Sequence, residues 1–203
     1  MKNKIRFIIL TALLFTLVFS GCKEIPEMDD TIAATVGTRS VSREELIRRI
    51  KYQAIIGEDI SIIEVIGDYI QDQVLLDRIR DTEYALTKTY SDYYCENEEH
   101  YMKNEEKNQE DFSEYQYLSK EDIISILAKN EMYGEAKRMY ARLFFDEYKK
   151  EQRLDDMTAD DMMTILNQHL ETLRPASEEI RFNEKVTAQI ISEFREMGIT
   201  VER

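Results

Sequence analysis

Apolar positions recur every three or four residues along most of this chain, in segments bounded by capping residues and glycines. The first segment is different: Thr31-Ile32-Ala33-Ala34-Thr35-Val36 is a small β-prone run that Gly37 ends, and Val41 marks a very short return strand. Ser42-Arg43-Glu44-Glu45 then has the spacing of a capping box, in which the serine hydroxyl and the glutamate carboxylate satisfy backbone N–H groups at a helix start. Leu46, Ile47, Ile50, Ala54 and Ile55 form its apolar stripe, and Gly57 stands where a helix-ending residue belongs. Ser61-Ile62-Ile63-Glu64 opens a second helix in the same way, with Ile63, Ile66, Tyr69, Ile70, Val74 and Leu75 on one face and a run on to Ile79. Gly67 inside it costs about 1 kcal/mol relative to Ala, which suggests close packing against another backbone.

From Asp81 to Asp111 tyrosines and acids interleave. Leu86, Tyr90, Tyr93, Tyr94 and Tyr101 suit one helix face, and the pattern dissolves into a charged loop over Asn104–Asp111. Ser119 caps a short helix with Ile123, Ile124 and Leu127, which Asn130 punctuates. A longer helix follows, with Ala136, Met139, Tyr140, Leu143, Phe144 and Tyr148 as its stripe. Thr158-Ala159-Asp160-Asp161 starts another, with Met162, Leu166, Leu170 and Leu173 inward and Pro175 at its end. The last helix carries Val186, Ile190, Phe194 and Met197, Gly198 terminates it, and Ile199-Thr200-Val201 alternates as a short closing strand would. The expected fold is therefore mostly α: one helical domain over residues 31–203, with a minimal two-strand β element joining its N- and C-terminal ends.

The N-terminus reads as an address. Lys2, Lys4 and Arg6 precede an apolar run from Phe7 to Phe19, which suits a signal peptide and is shorter than the ~20 residues of a bilayer span. It ends at Phe19-Ser20-Gly21-Cys22, which resembles the lipobox of bacterial lipoproteins, with Phe19 in place of the usual leucine. That resemblance implies cleavage after residue 21, diacylation of the Cys22 thiol, a tether over residues 22–30 and a place on the extracytoplasmic face of the cell membrane. An ordinary secretory signal with a chance cysteine is the other reading.

Charge and composition narrow the function classes. The chain has 27 Lys+Arg against 41 Asp+Glu, a net charge of −14. The sign is wrong for holding nucleic acid. Loss of residues 1–21 removes three positive charges and no negative ones, so the mature protein would rely on its acyl chains for membrane attachment. With 6 Gly and 2 Pro there is little turn chemistry for a sandwich, a barrel or a phosphate-cradling loop. Catalytic chemistry finds no footing: His100 and His169 have no sequence-local partners, no G-x-S-x-G elbow occurs, and no cluster has metal-ligand spacing. No cofactor or metal is expected. Cys95 lies beside Tyr94 and Glu96, whose acid disfavours a thiolate; it reads as a small buried or half-buried residue, or else as an intermolecular disulfide partner. The tyrosines read either as inter-helix packing or as an adaptable Tyr/Met surface.

Ile32-Ala33-Ala34-Thr35-Val36-Gly37 through Ser40-Val41-Ser42-Arg43-Glu44-Glu45-Leu46 resembles the opening of the SurA/PrsA class of extracytoplasmic foldases, where a short strand feeds the first helix of a chaperone domain. Val65-Ile66-Gly67-Asp68-Tyr69-Ile70 through Leu76 is similar to that family's second helix, Leu118 through Tyr148 to its later helical pair, and the closing helix with Ile199-Thr200-Val201 to its C-terminal helix and strand. The parvulin isomerase domain of such foldases needs ~90 residues, whereas the stretch from Gln152 to Pro175 reads as one helix. The resemblance thus implies a lipid-anchored holding chaperone without isomerase activity. Its partners would be unfolded or newly exported polypeptides, with Met139, Tyr140, Phe144 and Phe145 as client-facing residues. The alternative is an accessory or regulatory lipoprotein with one dedicated partner.

Growth of the producing cell with an alkyne-tagged fatty acid tests the address. Label is expected on the wild-type protein and on Cys95→Ser, and is expected to vanish with Cys22→Ser. Retention of label by Cys22→Ser would overturn the lipobox reading.

Overall fold

The computed structural model describes residues 28–57, 60–113, 115–151 and 157–203. The segment expected to be a signal peptide, Cys22 and most of the expected tether lie outside the described residues. The fold is mostly α, as expected, with a small β component. Strands β1 (Ile32–Val36) and β2 (Arg39–Ser42) form a hairpin that leads into helix α1 (Arg43–Ile56). Strand β3 (Ile60–Ser61) precedes α2 (Ile62–Ile79), and the helices α3 (Tyr90–Lys103), α4 (Glu105–Asp111), α5 (Lys120–Glu151) and α6 (Ala159–Glu171) follow. A 3-10 turn then leads into β4 (Ile180–Phe182), α7 (Glu184–Glu196) and β5 (Val201–Glu202).

The β component exceeds the two strands expected. One sheet has the order β2-β1-β4, with both pairings antiparallel, and β5 pairs in parallel with β3. The chain ends therefore meet through β1–β4, while the closing strand joins the strand ahead of α2. The hairpin turn spans Gly37 and Thr38, and Gly37 supplies the positive φ of 58° that a two-residue turn of right-handed twist requires. A register shift between Ile32 and Ala34 turns Ala33 and Ala34 both inward, and each is fully buried. The Ala33 carbonyl accepts a hydrogen bond from the Asn183 N–H at 2.9 Å, so the bulge also seats the start of α7.

The main core lies between this sheet and helices α1, α2 and α7. Val41, Leu46, Ile50, Ile62, Ile66, Val186, Ile190 and Phe194 are its most deeply buried members. At the end of α7, Gly198 takes a φ of 79° and the Ile199 N–H reaches back to the Phe194 carbonyl at 2.9 Å, which turns the chain into β5. A second cluster, Leu75, Ile79, Ala136, Tyr140, Leu166 and Leu170, joins the far end of α2 to α5 and α6. A third packs Tyr93 of α3 against Ala128, Met132 and Tyr133 of α5, and a fourth packs Tyr101 against Ile123 and Ile124. The two helices run antiparallel: Tyr101 meets the start of α5, and the Tyr93 hydroxyl donates to Glu135 at 2.6 Å.

Four local expectations are corrected. Asn130 does not break α5, which runs unbroken for 32 residues. Continuous packing of both its halves on α2 and α3 outweighs the few tenths of a kcal/mol that one Asn costs a helix. Residues 105–111 form helix α4 instead of a loop; Glu105 and Glu106 in its first turn favour the helix dipole, and the following Phe112 packs on the Tyr101 cluster. Gly67 is buried, yet a Cβ there would meet nothing within 4 Å, so no backbone presses on it. Cys95 is exposed, because it lies on the outward face of α3.

Gly67 and Gly134 accordingly hold helix-interior positions with room for a methyl group, the nearest atom to the latter being Arg138 Nη1 at 3.9 Å. Gly67→Ala and Gly134→Ala are each expected to stabilise the fold by about 0.5–1 kcal/mol. Urea denaturation measures this, and a lowered midpoint for either variant would overturn the packing described.

Candidate functional site

Two regions of the helical body have the character of sites, one aromatic and one polar. The aromatic one contains the residues singled out as client-facing. Tyr140 is only 6% exposed, and Met139, Phe144 and Phe145 are half-buried, packed against the second cluster beneath α6. The Tyr140 hydroxyl lies 2.8 Å from His169 Nε2, and the Phe144 and His169 rings stack with centroids 4.6 Å apart. Helix α6 is thus held by Leu166 and Leu170 and by one stacked histidine. The Gln71 amide adds a hydrogen bond of 2.6 Å to the Leu170 carbonyl, and Arg174, just past the helix, pairs with Asp68. Desolvation, with Arg78 nearby, lowers the His169 pKa, so the ring is neutral at pH 7. His100 is exposed on α3, and the two histidines lie in separate regions.

The tyrosines are packing residues first. Each of the 12 is buried or half-buried, and Tyr93 and Tyr101 are among the core members. Large exposed apolar side chains are scattered: Ile56, Met102, Leu127, Met163 and Met197 come from different parts of the chain. Among the described residues no group of three or more His, Cys, Asp or Glu could hold a metal ion, and no helix is long and apolar enough to cross a membrane.

The polar region is a cavity of about 260 Å³ between α1, α2 and α5. Its organiser is Glu45, only 5% exposed. At the sequence level Glu45 closes a capping box. In the fold only half of that box forms: the Ser42 hydroxyl accepts the Glu45 N–H at 3.1 Å, while the carboxylate turns away to three cations. Arg48 reaches it at 2.5 Å, Arg49 at 3.1 Å and Lys129 of α5 at 3.8 Å. Charge in a low-dielectric setting outweighs one more backbone hydrogen bond at a helix end.

Arg49 also pairs with Asp72 of α2 at 2.8 Å and lies against the rings of Tyr69 and Tyr133. Burial opposes its charge, but Asp72, Tyr133 and Glu45 overcome that and raise its pKa. Burial likewise raises the Asp72 pKa, against the pull of Arg49. Lys129 goes the other way: desolvation lowers its pKa, with Arg48 and Arg49 adding repulsion against the attraction of Glu45. The ammonium sits 4.6 Å from the centroid of the Tyr90 ring. Two buried atoms among these residues, Arg48 Nη1 and Gln53 Oε1, have no hydrogen-bond partner among the described residues.

Sequence reasoning missed this cavity. Arg48 and Arg49 fall between members of the apolar stripe of α1, and Lys129 lies in a distant segment. The available signal was adjacent arginines on the apolar side of a helix, three and four residues after an acid. Comparison with protein-family models, with curated proteins and with solved structures finds no match for the chain.

Glu45→Gln keeps the backbone N–H that Ser42 caps and removes the charge that three cations share. It is expected to destabilise the fold by about 3–5 kcal/mol. Chemical denaturation reads this directly, and a loss below about 1 kcal/mol would show that Glu45 behaves as a surface ion.

Proposed function

We propose that the chain is a lipid-anchored extracytoplasmic binding protein of chaperone-like design, which holds segments of exported polypeptides and performs no prolyl isomerisation. The observation that carries this reading is the docking of α6. An amphipathic helix of the chain's own sequence lies on the α2–α5 surface through two leucines and a neutral histidine. A surface that accepts one apolar-striped segment accepts others of similar pattern, because hydrophobic contact is non-directional and scales with the area covered. Departure of α6 would uncover Leu75, Ile79, Ala136 and Tyr140, with Met139, Phe144 and Phe145 beside them. Met and aromatic side chains repack around varied partners. The order of elements also supports the reading. Helix α7 and strand β5 return to complete the core begun by β1, β2 and α1, as the resemblance to SurA/PrsA foldases implies.

One observation favours a second reading, an accessory or regulatory lipoprotein with a single dedicated partner. Among the described residues the exposed large apolar side chains are few and sit on separate elements of the chain. A holdase of wide range shows contiguous apolar surface.

Aggregation of two unrelated unfolded proteins separates the two. A chain beginning at Lys23, near equimolar ratio, is expected to suppress the aggregation of both. Leu166→Ala combined with Leu170→Ala is expected to strengthen suppression by loosening α6 from the groove. Absence of suppression by protein shown to be folded would overturn the holding reading and leave the dedicated partner.

A further inference from the structure

We propose that the cavity between α1, α2 and α5 binds a small organic anion: a carboxylate carried on an aromatic or apolar body. The inference is independent of polypeptide holding, since it concerns a different face of α2 and α5.

The charge balance of the cavity points this way. Its wall brings together four cations, Arg48, Arg49, Lys129 and Lys137, and three acids, Glu45, Asp68 and Asp72. The acids are already engaged, Glu45 and Asp72 by the wall's own cations and Asp68 by Arg174 from outside it. Lys137 is exposed and makes no ion pair among the described residues. A chain of net charge −14 has thus assembled a positive pocket. Such excess is costly in a half-buried site unless an anion completes it.

Hydrogen-bonding capacity is also unfilled. Arg48 donates to Glu45 through one nitrogen, while Nη1 is buried and unpartnered. A buried donor without a partner costs about 1–3 kcal/mol, and a small turn of the guanidinium toward the cavity would give it an oxyanion. The planar fork of Arg suits the two oxygens of a carboxylate. Tyr52, Tyr133, Val65 and Ile126 supply the aromatic and apolar part of the lining, beside the amides of Gln53, Gln71 and Asn130. Their rings and methyl groups select an apolar or aromatic body over a bare ion. The three acids disfavour a dianion, which separates a carboxylate from phosphate. The cavity's size, about 260 Å³, admits a single-ring compound and excludes a folded chain segment.

Titration calorimetry on the protein purified as the cell makes it tests the assignment. The probes are benzoate, benzamide and inorganic phosphate, with ionic strength held constant by sodium chloride. Benzoate is expected to bind saturably at millimolar concentration or below, with benzamide and phosphate at least about tenfold weaker. Arg48→Gln is expected to abolish benzoate binding. Lys137→Gln, at an exposed position outside the ion-pair network, is expected to weaken it several-fold with the fold intact. The proposal is overturned if benzoate fails to bind, if benzamide or phosphate binds as well, or if Lys137→Gln binds unchanged. Should Arg48→Gln not fold, the benzamide comparison and Lys137→Gln decide the matter.

Discussion

A single buried carboxylate sets the geometry of the helical body. Glu45 begins α1, yet its charge is shared by two arginines of its own helix and by Lys129 of α5. Arg49 passes the linkage on to Asp72 of α2. Three helices are therefore fixed in register by Glu45 and Arg49 together, at a point where none of the apolar clusters reaches all three. Desolvation makes such a network a poor source of net stability, since well-packed hydrophobic residues could replace it at little loss. Its value lies in specificity: only one alignment of α1, α2 and α5 leaves no charge unpaired at Glu45. That constraint explains the half-made capping box and the cavity together, because bulky charged heads cannot pack as closely as leucines.

The second constraint is topological. Residues about 150 positions apart meet when β4 joins β1 and α7 covers the hairpin, and the Arg43–Glu193 ion pair closes the same seam. The N-terminal hairpin and α1 leave an apolar face that the C-terminal segment, through Val186, Ile190 and Phe194, covers together with α2. Loop closure over such a span costs little more than over a shorter one, because the entropy grows only logarithmically with length. The intervening helices α3 to α6 can then pack on the protruding end of α2 without disturbing the seam. Antiparallel packing of α3 on α5 is local by comparison and forms its own tyrosine-rich core.

What could be read in the sequence followed from local chemistry. Ser42, Ser61 and Thr158 each marked a helix start, and in the fold their side chains accept the N–H groups of Glu45, Glu64 and Asp161. Stripes such as Ile66, Ile70 and Leu75 identified buried faces, and Gly37, Gly57 and Gly198 marked ends through positive φ. Strands β3 and β4 were invisible, because two or three residues show no period, and their pairing is decided by partners far along the chain. Asn130 misled because its propensity is local whereas α5 is held along its whole length by neighbours. The cavity was the hardest to read. Its charges lie on three helices, and nothing near Glu45 in sequence announces Lys129. The aromatic stripe of α5 was recognised as a stripe, but which side of it faces α6 depends on where α6 docks.

Helix α2 connects the two regions described as sites. Its first half fills the main core with Ile62, Ile66 and Ile70, and its last turns present Leu75 and Ile79 to α6. Between them, Gln71 and Asp72 face the polar cavity. Gln71 is buried, lines the cavity, and donates to the Leu170 carbonyl near the end of α6. Asp68, one turn earlier, lines the same cavity and holds Arg174, just past that helix. The end of α6 is thus tied by two polar contacts to the wall of the cavity, while its leucines rest on the apolar cluster. An occupant that redirected Arg48 or Arg49 would alter the field at Asp68 and Asp72 without touching the leucines. Coupling between cavity and groove in this fold would therefore run through polar contacts of α2. It would act on the C-terminal end of α6 before its apolar face, because that is where the two regions share residues.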